Sequence, residues 1–183
     1  FEAFDLGIAP DDPGQIGELL LEAAVDADVI ISSGGVSVGE EDYIKHVVGQ
    51  LGAVDLWKVS IKPGKPFAFG NVQSTPFLGF PGNPASVLVT ALIIARPYLL
   101  SCQGVRDTAV YAFPAPALFS RKAVRRTEYL RARLTADGLE CHPAQSSGIL
   151  LSAVWGNGLA VQHEGQAIEE GGPVDFLPYA LLL

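Results

Sequence analysis

A chain of 183 residues that is 49% hydrophobic and 17% charged can bury the core of one large domain or two small ones. Its net charge of −8 argues against nonspecific nucleic-acid binding. The longest apolar run, Val87 to Ala95, ends at Arg96, short of the ~20 residues a membrane span needs. Cys102 and Cys141 form no metal or redox spacing and no secretory pattern is visible, so a reduced cytoplasmic setting is the simplest reading. A chain that opens on Phe1 and contains no Met is expected to begin inside a longer protein.

Residues 1 to 104 alternate helix and strand signals. Asp12 can N-cap a helix with Pro13 at its first position and Gln15 at capping-box spacing. Ile16, Leu19, Leu20, Ala23 and Ala24 then give that helix one apolar face. Asp28-Val29-Ile30-Ile31 reads as a buried strand, followed by a glycine-rich turn, a helix from 42 to 51, and Gly52 at its C-cap. Strands are predicted near 55–61, 67–70 and 76–80. Asn83-Pro84 opens a helix over 84–100, as cap and first-turn proline. This alternation predicts an α/β domain with a parallel sheet and a ligand edge at the strands' carboxyl ends.

From about residue 105 the pattern changes. Short strand-like runs lie near 109–113, 127–134, 139–143, 149–154, 158–162 and 173–178, separated by Gly, Pro, Asn and Asp. They predict a small all-β barrel or sandwich over 105–183. Six of its seven basic residues fall between Arg121 and Arg133. Along Tyr129–Leu134, Leu130, Ala132 and Leu134 share one face, while Tyr129, Arg131 and Arg133 share the other. Arg131 and Arg133 read either as a solvated edge strand or as an anion site facing the first domain.

Three motifs carry chemistry. The first is Ser32-Ser33-Gly34-Gly35-Val36-Ser37-Val38-Gly39-Glu40-Glu41-Asp42-Tyr43. A strand, a glycine turn and a helix start direct backbone N–H groups and the helix dipole at one spot. Gly34 and Gly39 have Walker A spacing, but Glu40-Glu41 stand where Lys-Ser/Thr is required. Hydroxyls and three acids suggest a phosphorylated ligand handled with a cation. Asp42 could cap the helix, bind Mg²⁺ or position a water. In the second motif, Lys62-Pro63-Gly64-Lys65-Pro66, a Pro-Gly turn holds two ammonium groups near one point, which suits an oxyanion or a diphosphate. In the third, Phe80-Pro81-Gly82-Asn83-Pro84-Ala85-Ser86, a strand again enters a helix start. Free N–H groups are expected there, with Asn83 as cap and Ser86 able to meet a phosphate. His46, His142 and His163 are scattered and no Gly-x-Ser-x-Gly elbow exists, so neither a histidine metal site nor a covalent nucleophile is indicated.

In order and spacing these motifs resemble those of the molybdopterin molybdenumtransferases, the MoeA family that includes the gephyrin E domain. Arg126-Thr127-Glu128-Tyr129-Leu130-Arg131, Gln145-Ser146-Ser147 and Asn157-Gly158-Leu159 look like the matching pieces of its C-terminal β domain. The resemblance implies insertion of molybdate into adenylylated molybdopterin with release of AMP, assisted by Mg²⁺. It implies that Lys62, Lys65, Arg126 and Ser147 hold molybdate. Gly34, Gly35, Ser37 and Gly39, with Pro66, Pro81, Gly82, Asn83, Pro84 and Ser86, would hold the pterin's phosphate side. Asp42 would be the acid needed for activity and the metal ligand, with Lys62 and Lys65 as its catalytic companions.

Family members carry further N-terminal domains and open this α/β domain with a strand, a Gly-Asp-Glu turn and a helix. None of these is found from Phe1 onward; Phe1 is expected to begin after them, leaving the α/β domain of this chain incomplete at its N-terminus. The resemblance also implies a homodimer. Two alternatives share the fold, a molybdopterin adenylyltransferase and a non-catalytic scaffold module. The β half argues against the first, and no peptide-binding pattern marks the second.

Overall fold

The computed structural model describes residues 1–36 and 43–182. The expectations for Ser37, Gly39, Glu40, Glu41 and Asp42 therefore lie outside the described residues. The chain forms two compact units, Phe1–Val59 with Pro66–Gly82, and Ser60–Lys65 with Asn83–Leu183.

In the first unit α1 (Pro13–Asp26) starts as its sequence predicts, with Asp12 Oδ1 accepting from the Gln15 N–H at 2.8 Å. β1 (Ile30–Ser33), α2 (Tyr43–Leu51), β2 (Gly52–Lys58), β4 (Pro66–Val72) and β5 (Thr75–Phe80) complete it. β3 (Ile61–Lys62), between β2 and β4, belongs to the second unit. The sheet runs β1-β5-β4-β2. Its core gathers Ile16 and Leu20 of α1, Val47 and Val48 of α2, and Ile30, Ala68, Val72 and Phe77 of the strands.

Among the described residues of the first unit's sheet, parallel pairing is confined to β1 and β5, where Ile30 lies opposite Phe77. β4 and β5 are antiparallel, as are β2 and β4. The reason is local. Only Gln73 and Ser74 separate β4 from β5, too few for the crossover a parallel pair requires, and Gln73 takes the turn's positive φ of 52°. Gly52, expected to end α2 as a cap, opens β2 opposite Val72. A Cβ there would strike the Asn71 carbonyl oxygen.

The second unit contains α3 (Pro84–Thr90), a π-helical turn (Ala91–Ala95) and α4 (Arg96–Cys102), which run on as one helix. Pro97 has no N–H to give Ile93, and its ring would crowd that carbonyl. The Arg96 N–H instead reaches back to Ala91, the longer step that defines the π turn. Pro84–Cys102, with mean hydropathy 1.7, is long and apolar enough to cross a membrane by length and composition. Within this unit, however, Val89 and Leu92 pack with Leu159, Val161, Leu177 and Leu182, as a core helix does.

β6 (Phe113–Pro116), β7 (Thr127–Leu134), β8 (Leu139–Cys141), β9 (Gly158–Gln162) and β10 (Pro173–Pro178) form the β portion. Antiparallel pairs run β7-β9-β10-β6. β8 pairs the far end of β7. Ala117, just past β6, bridges Leu139 of β8, and the Leu118 N–H donates to the Leu139 carbonyl at 2.9 Å. That last contact closes the strands into a small barrel around Leu130, Ala132, Leu139, Ala160 and Phe176. β3 adds in parallel to the start of β7, Ile61 opposite Thr127 and Lys62 opposite Glu128.

Residues 149–154, expected as a strand, instead lead into α5 (Leu151–Trp155). Only Ser152 and Ala153 of α5 are buried, while Leu151 and Val154 are exposed. A short apolar run does not distinguish a strand from a helical turn. The packing units also divide at 82/83, inside the expected 1–104 domain. The helix from Pro84 covers β9 and β10 of the barrel, so it packs with the strands that follow it.

Candidate functional site

In the first unit the carboxyl ends of β1 and β5 meet at two glycine turns. Gly34 (φ 90°) and Gly35 (φ 67°) follow β1, and the Gly34 N–H donates to the Phe80 carbonyl at 3.0 Å. A Cβ on Gly82 would lie 3.7 Å from Gly34 Cα, so the Pro81-Gly82 turn sits beside the first. Gly35 has no room for a side chain, since a Cβ would come within 2.7 Å of Ile44 Cγ1. Backbone therefore lines this edge, as an approaching phosphate would require.

In the second unit the Lys62–Lys65 turn packs on α3 between Ser86 and Thr90. Gly64 (φ 106°) places its Cα where a Cβ would be 2.5 Å from Thr90 Cγ2 and 3.6 Å from the Ser86 carbonyl oxygen. Lys62 Nζ binds Glu128 Oε1 at 3.0 Å, and Arg121 Nη2 binds Glu128 Oε2 at 2.8 Å. Gln162 Oε1 accepts from Arg121 Nε at 3.0 Å. Arg126 Nη1 reaches the Ile61 carbonyl at 3.5 Å, which sets its guanidinium beside β3. Lys65 is exposed and has no ion-pair partner among the described residues. Two cations, Lys62 and Arg121, thus pair with one buried carboxylate, and the Arg126 guanidinium beside β3 adds positive charge suited to an anion.

The helix start differs from expectation. The Asn83 side chain makes no cap bond, and its Nδ2 instead donates to Ser147 Oγ at 3.1 Å. The first-turn N–H groups are also taken. Ala85 donates to the Ser147 carbonyl at 3.1 Å, and Ser86 and Val87 donate to the Asn83 carbonyl at 2.9 and 3.0 Å. Ser86 is 4% exposed. Free helix N–H groups are therefore not what this surface offers. It offers side chains, and Ser147 Oγ, already accepting from Asn83, keeps its own proton to donate. The structure joins Asn83 and Ser147 at the helix start and sets Lys62 on Glu128 and Arg126 on Ile61 at β3, with Lys65 exposed on the same turn as Lys62. It puts Pro66, Pro81 and Gly82 in the first unit and buries Pro81.

Sequence reasoning missed the polar groups beneath this surface. Arg131, read either as a solvated charge or as part of an anion site, is 1% exposed. Burial lowers its pKa, and burial raises that of neighbouring Tyr179 to about 12 and that of Cys141 to a lesser extent. Arg133 does face outward, pairing with Glu140 at 2.9 Å and lying 4.4 Å from the Trp155 ring centroid. Period-two alternation separates the two faces of β7, but it carries no signal that the chain from His142 to Ser152 covers Arg131. For Mg²⁺, no group of three or more His, Cys, Asp or Glu that could hold a metal occurs among the described residues.

Residues 1–101 match the family described as a probable molybdopterin binding domain, and residues 114–179 match the MoeA C-terminal region (domain IV). A molybdopterin molybdenumtransferase of Haemophilus influenzae is 41% identical over 137 residues, covering 71% of this chain and 33% of that protein. Its counterpart from Nostoc is 35% identical over 177 residues, covering 91% and 41%. A solved MoeA protein from Pyrococcus horikoshii superposes with a TM-score of 0.78 at 26% identity, over 94% of this chain and 42% of that one. The chain thus spans between a third and two fifths of the length of these relatives. It belongs to the MoeA family, carrying a molybdopterin-binding domain followed by a MoeA C-terminal region.

Proposed function

We propose that this chain binds molybdate and acts within a molybdopterin molybdenumtransferase, which inserts molybdate into adenylylated molybdopterin and releases AMP. The observation that carries this reading is the set of cations and hydroxyl that this unit presents, Lys62 and Arg126 held at β3 and Ser147 held at the helix start by Asn83 and Ala85. Lys62, Lys65 and Arg126 neutralise the tetrahedral dianion, and the Ser147 hydroxyl donates to one of its oxygens. The glycine turns at Gly34, Gly35 and Gly82, with Ser37 and Gly39 from the same motif, hold the phosphate side of the pterin substrate. Pro66, Pro81, Pro84 and Ser86 shape the turns around these groups. Asp42, by family resemblance, is the acid needed for activity and would hold Mg²⁺ or position a water beside the phosphate. The reading includes a homodimer in the cytoplasm and the inherited division into 1–104 and 105–183. The MoeA C-terminal match favours this transferase over an adenylyltransferase.

The test is molybdate retention by equilibrium dialysis, with bound metal counted by mass spectrometry. Arg126→Ala is expected to weaken retention by about 10- to 100-fold, the loss of one charge-assisted hydrogen bond. Retention that ignores this change, and likewise Lys62→Ala, would sink the assignment.

A further inference from the structure

We infer that Arg131 is a positioning residue whose buried guanidinium fixes Ser147 at the helix start, an inference that rests on the molybdate-binding reading above. Arg131 lies in the middle of β7, 1% exposed, and makes no ion pair among the described residues. Burying an unpaired cation is costly, and an apolar side chain of similar size would fill the space without that penalty. The guanidinium must therefore be judged by what it holds. Nε donates to Ser152 Oγ at 3.1 Å and Nη2 to the Ser146 carbonyl at 3.1 Å. The Arg131 backbone continues the grip. Its N–H donates to Gln145 Oε1 at 3.0 Å, and its carbonyl accepts from Gln145 Nε2 at 3.0 Å and from the His142 N–H at 3.1 Å.

These bonds fasten the segment on both sides of Ser147 and leave Ser147 itself to the surface. Its carbonyl then takes the Ala85 N–H and its Oγ takes Asn83 Nδ2, each at 3.1 Å. One arginine on the outer face of β7, covered by the chain from His142 to Ser152, thus sets the height and direction of a hydroxyl on the anion-binding surface. A loop held only by backbone contacts would have no such reference point.

The test uses hydrogen exchange and molybdate dialysis on the whole chain. In Arg131→Met the Ala85 amide should lose its protection while amides in β9 and β10 keep theirs. Molybdate Kd should rise about 10-fold, and Arg131→Lys, which keeps a donor, should recover part of the loss. The effect should vanish in a Ser147→Ala background, where Arg131→Met adds less than about two-fold, because the two residues act through one contact. An Ala85 amide that stays protected in Arg131→Met overturns the inference, as does an equal rise in Kd with and without Ser147. If Arg131→Met does not fold, Ser152→Ala removes one anchor alone, and an unchanged Ala85 amide there is equally decisive. Failure of the underlying reading looks different. Ser147→Ala would then leave Kd unaltered while Arg131→Met still releases the Ala85 amide.

Discussion

Gly64 shows how much of this surface depends on a single backbone position. Its φ of 106° lies where only glycine is unstrained, and a Cβ would stand 2.5 Å from Thr90 Cγ2. Gly64→Ala should therefore cost roughly 2–4 kcal/mol, from backbone strain and displaced packing, read as a lower urea midpoint at unchanged slope. The same variant should weaken molybdate retention, because the turn carries Lys62 and Lys65 on either side. Among the candidate residues, Lys62 and Lys65 were legible from the Pro-Gly turn between them, whereas Arg126 and Ser147 came from the family resemblance and carried no local signal of their partners Ile61 and Asn83. Asn83 was legible as a helix start but not in its partner, because capping is a local rule and Ser147 lies 64 residues away. Glu128 and Arg131 were hidden for a related reason. Alternation along β7 says which residues share a face, not that β3 brings Lys62 onto Glu128 or that Ser146 and Ser152 close over Arg131.

Elements with strong local signals lie where their residues point. The expected strands at 127–134, 158–162 and 173–178 coincide with β7, β9 and β10, where apolar runs are bounded by turn residues. The orientation of β4 against β5 follows from a two-residue connection and not from the strands' own composition. α5 was read as a strand because five residues are too few to display a helical period. The best-specified element is the start of α1. There Asp12 is exposed and, among the described residues, its side chain hydrogen-bonds the Gln15 N–H alone, so its loss isolates the cap. Asp12→Ala should lower stability by about 1 kcal/mol, and Asp12→Ser should restore most of it. Equal urea midpoints for wild type and Asp12→Ala would mean that α1 is held by Ile16 and Leu20 alone.

At the scale of the whole chain, the inherited boundary and the packing boundary fall in different places. The family matches meet between residues 101 and 114, yet the second compact unit begins at Asn83 and takes in Ser60–Lys65 as well. The difference has a physical origin in the helix from Pro84 to Cys102. Val89 and Leu92 on that helix bury Leu159, Val161, Leu177 and Leu182 of the barrel portion. Uncovering these four would forfeit about 1.5–3 kcal/mol for each side chain, a sum comparable with the entire stability of a small domain. Residues 105–183 expressed alone should accordingly aggregate, or bind a hydrophobic dye and unfold without a cooperative transition. Residues 83–183 should be markedly better behaved, retaining the helix. They should still fall short of the intact chain, because β7 then lacks the β3 strand opposite Thr127 and Glu128, and Glu128 lacks Lys62. A cooperative melt for 105–183 matching that of 83–183 would show that the barrel closes through Ala117 and Leu139 without the helix. In that case the division at 104/105 would be the physical one too.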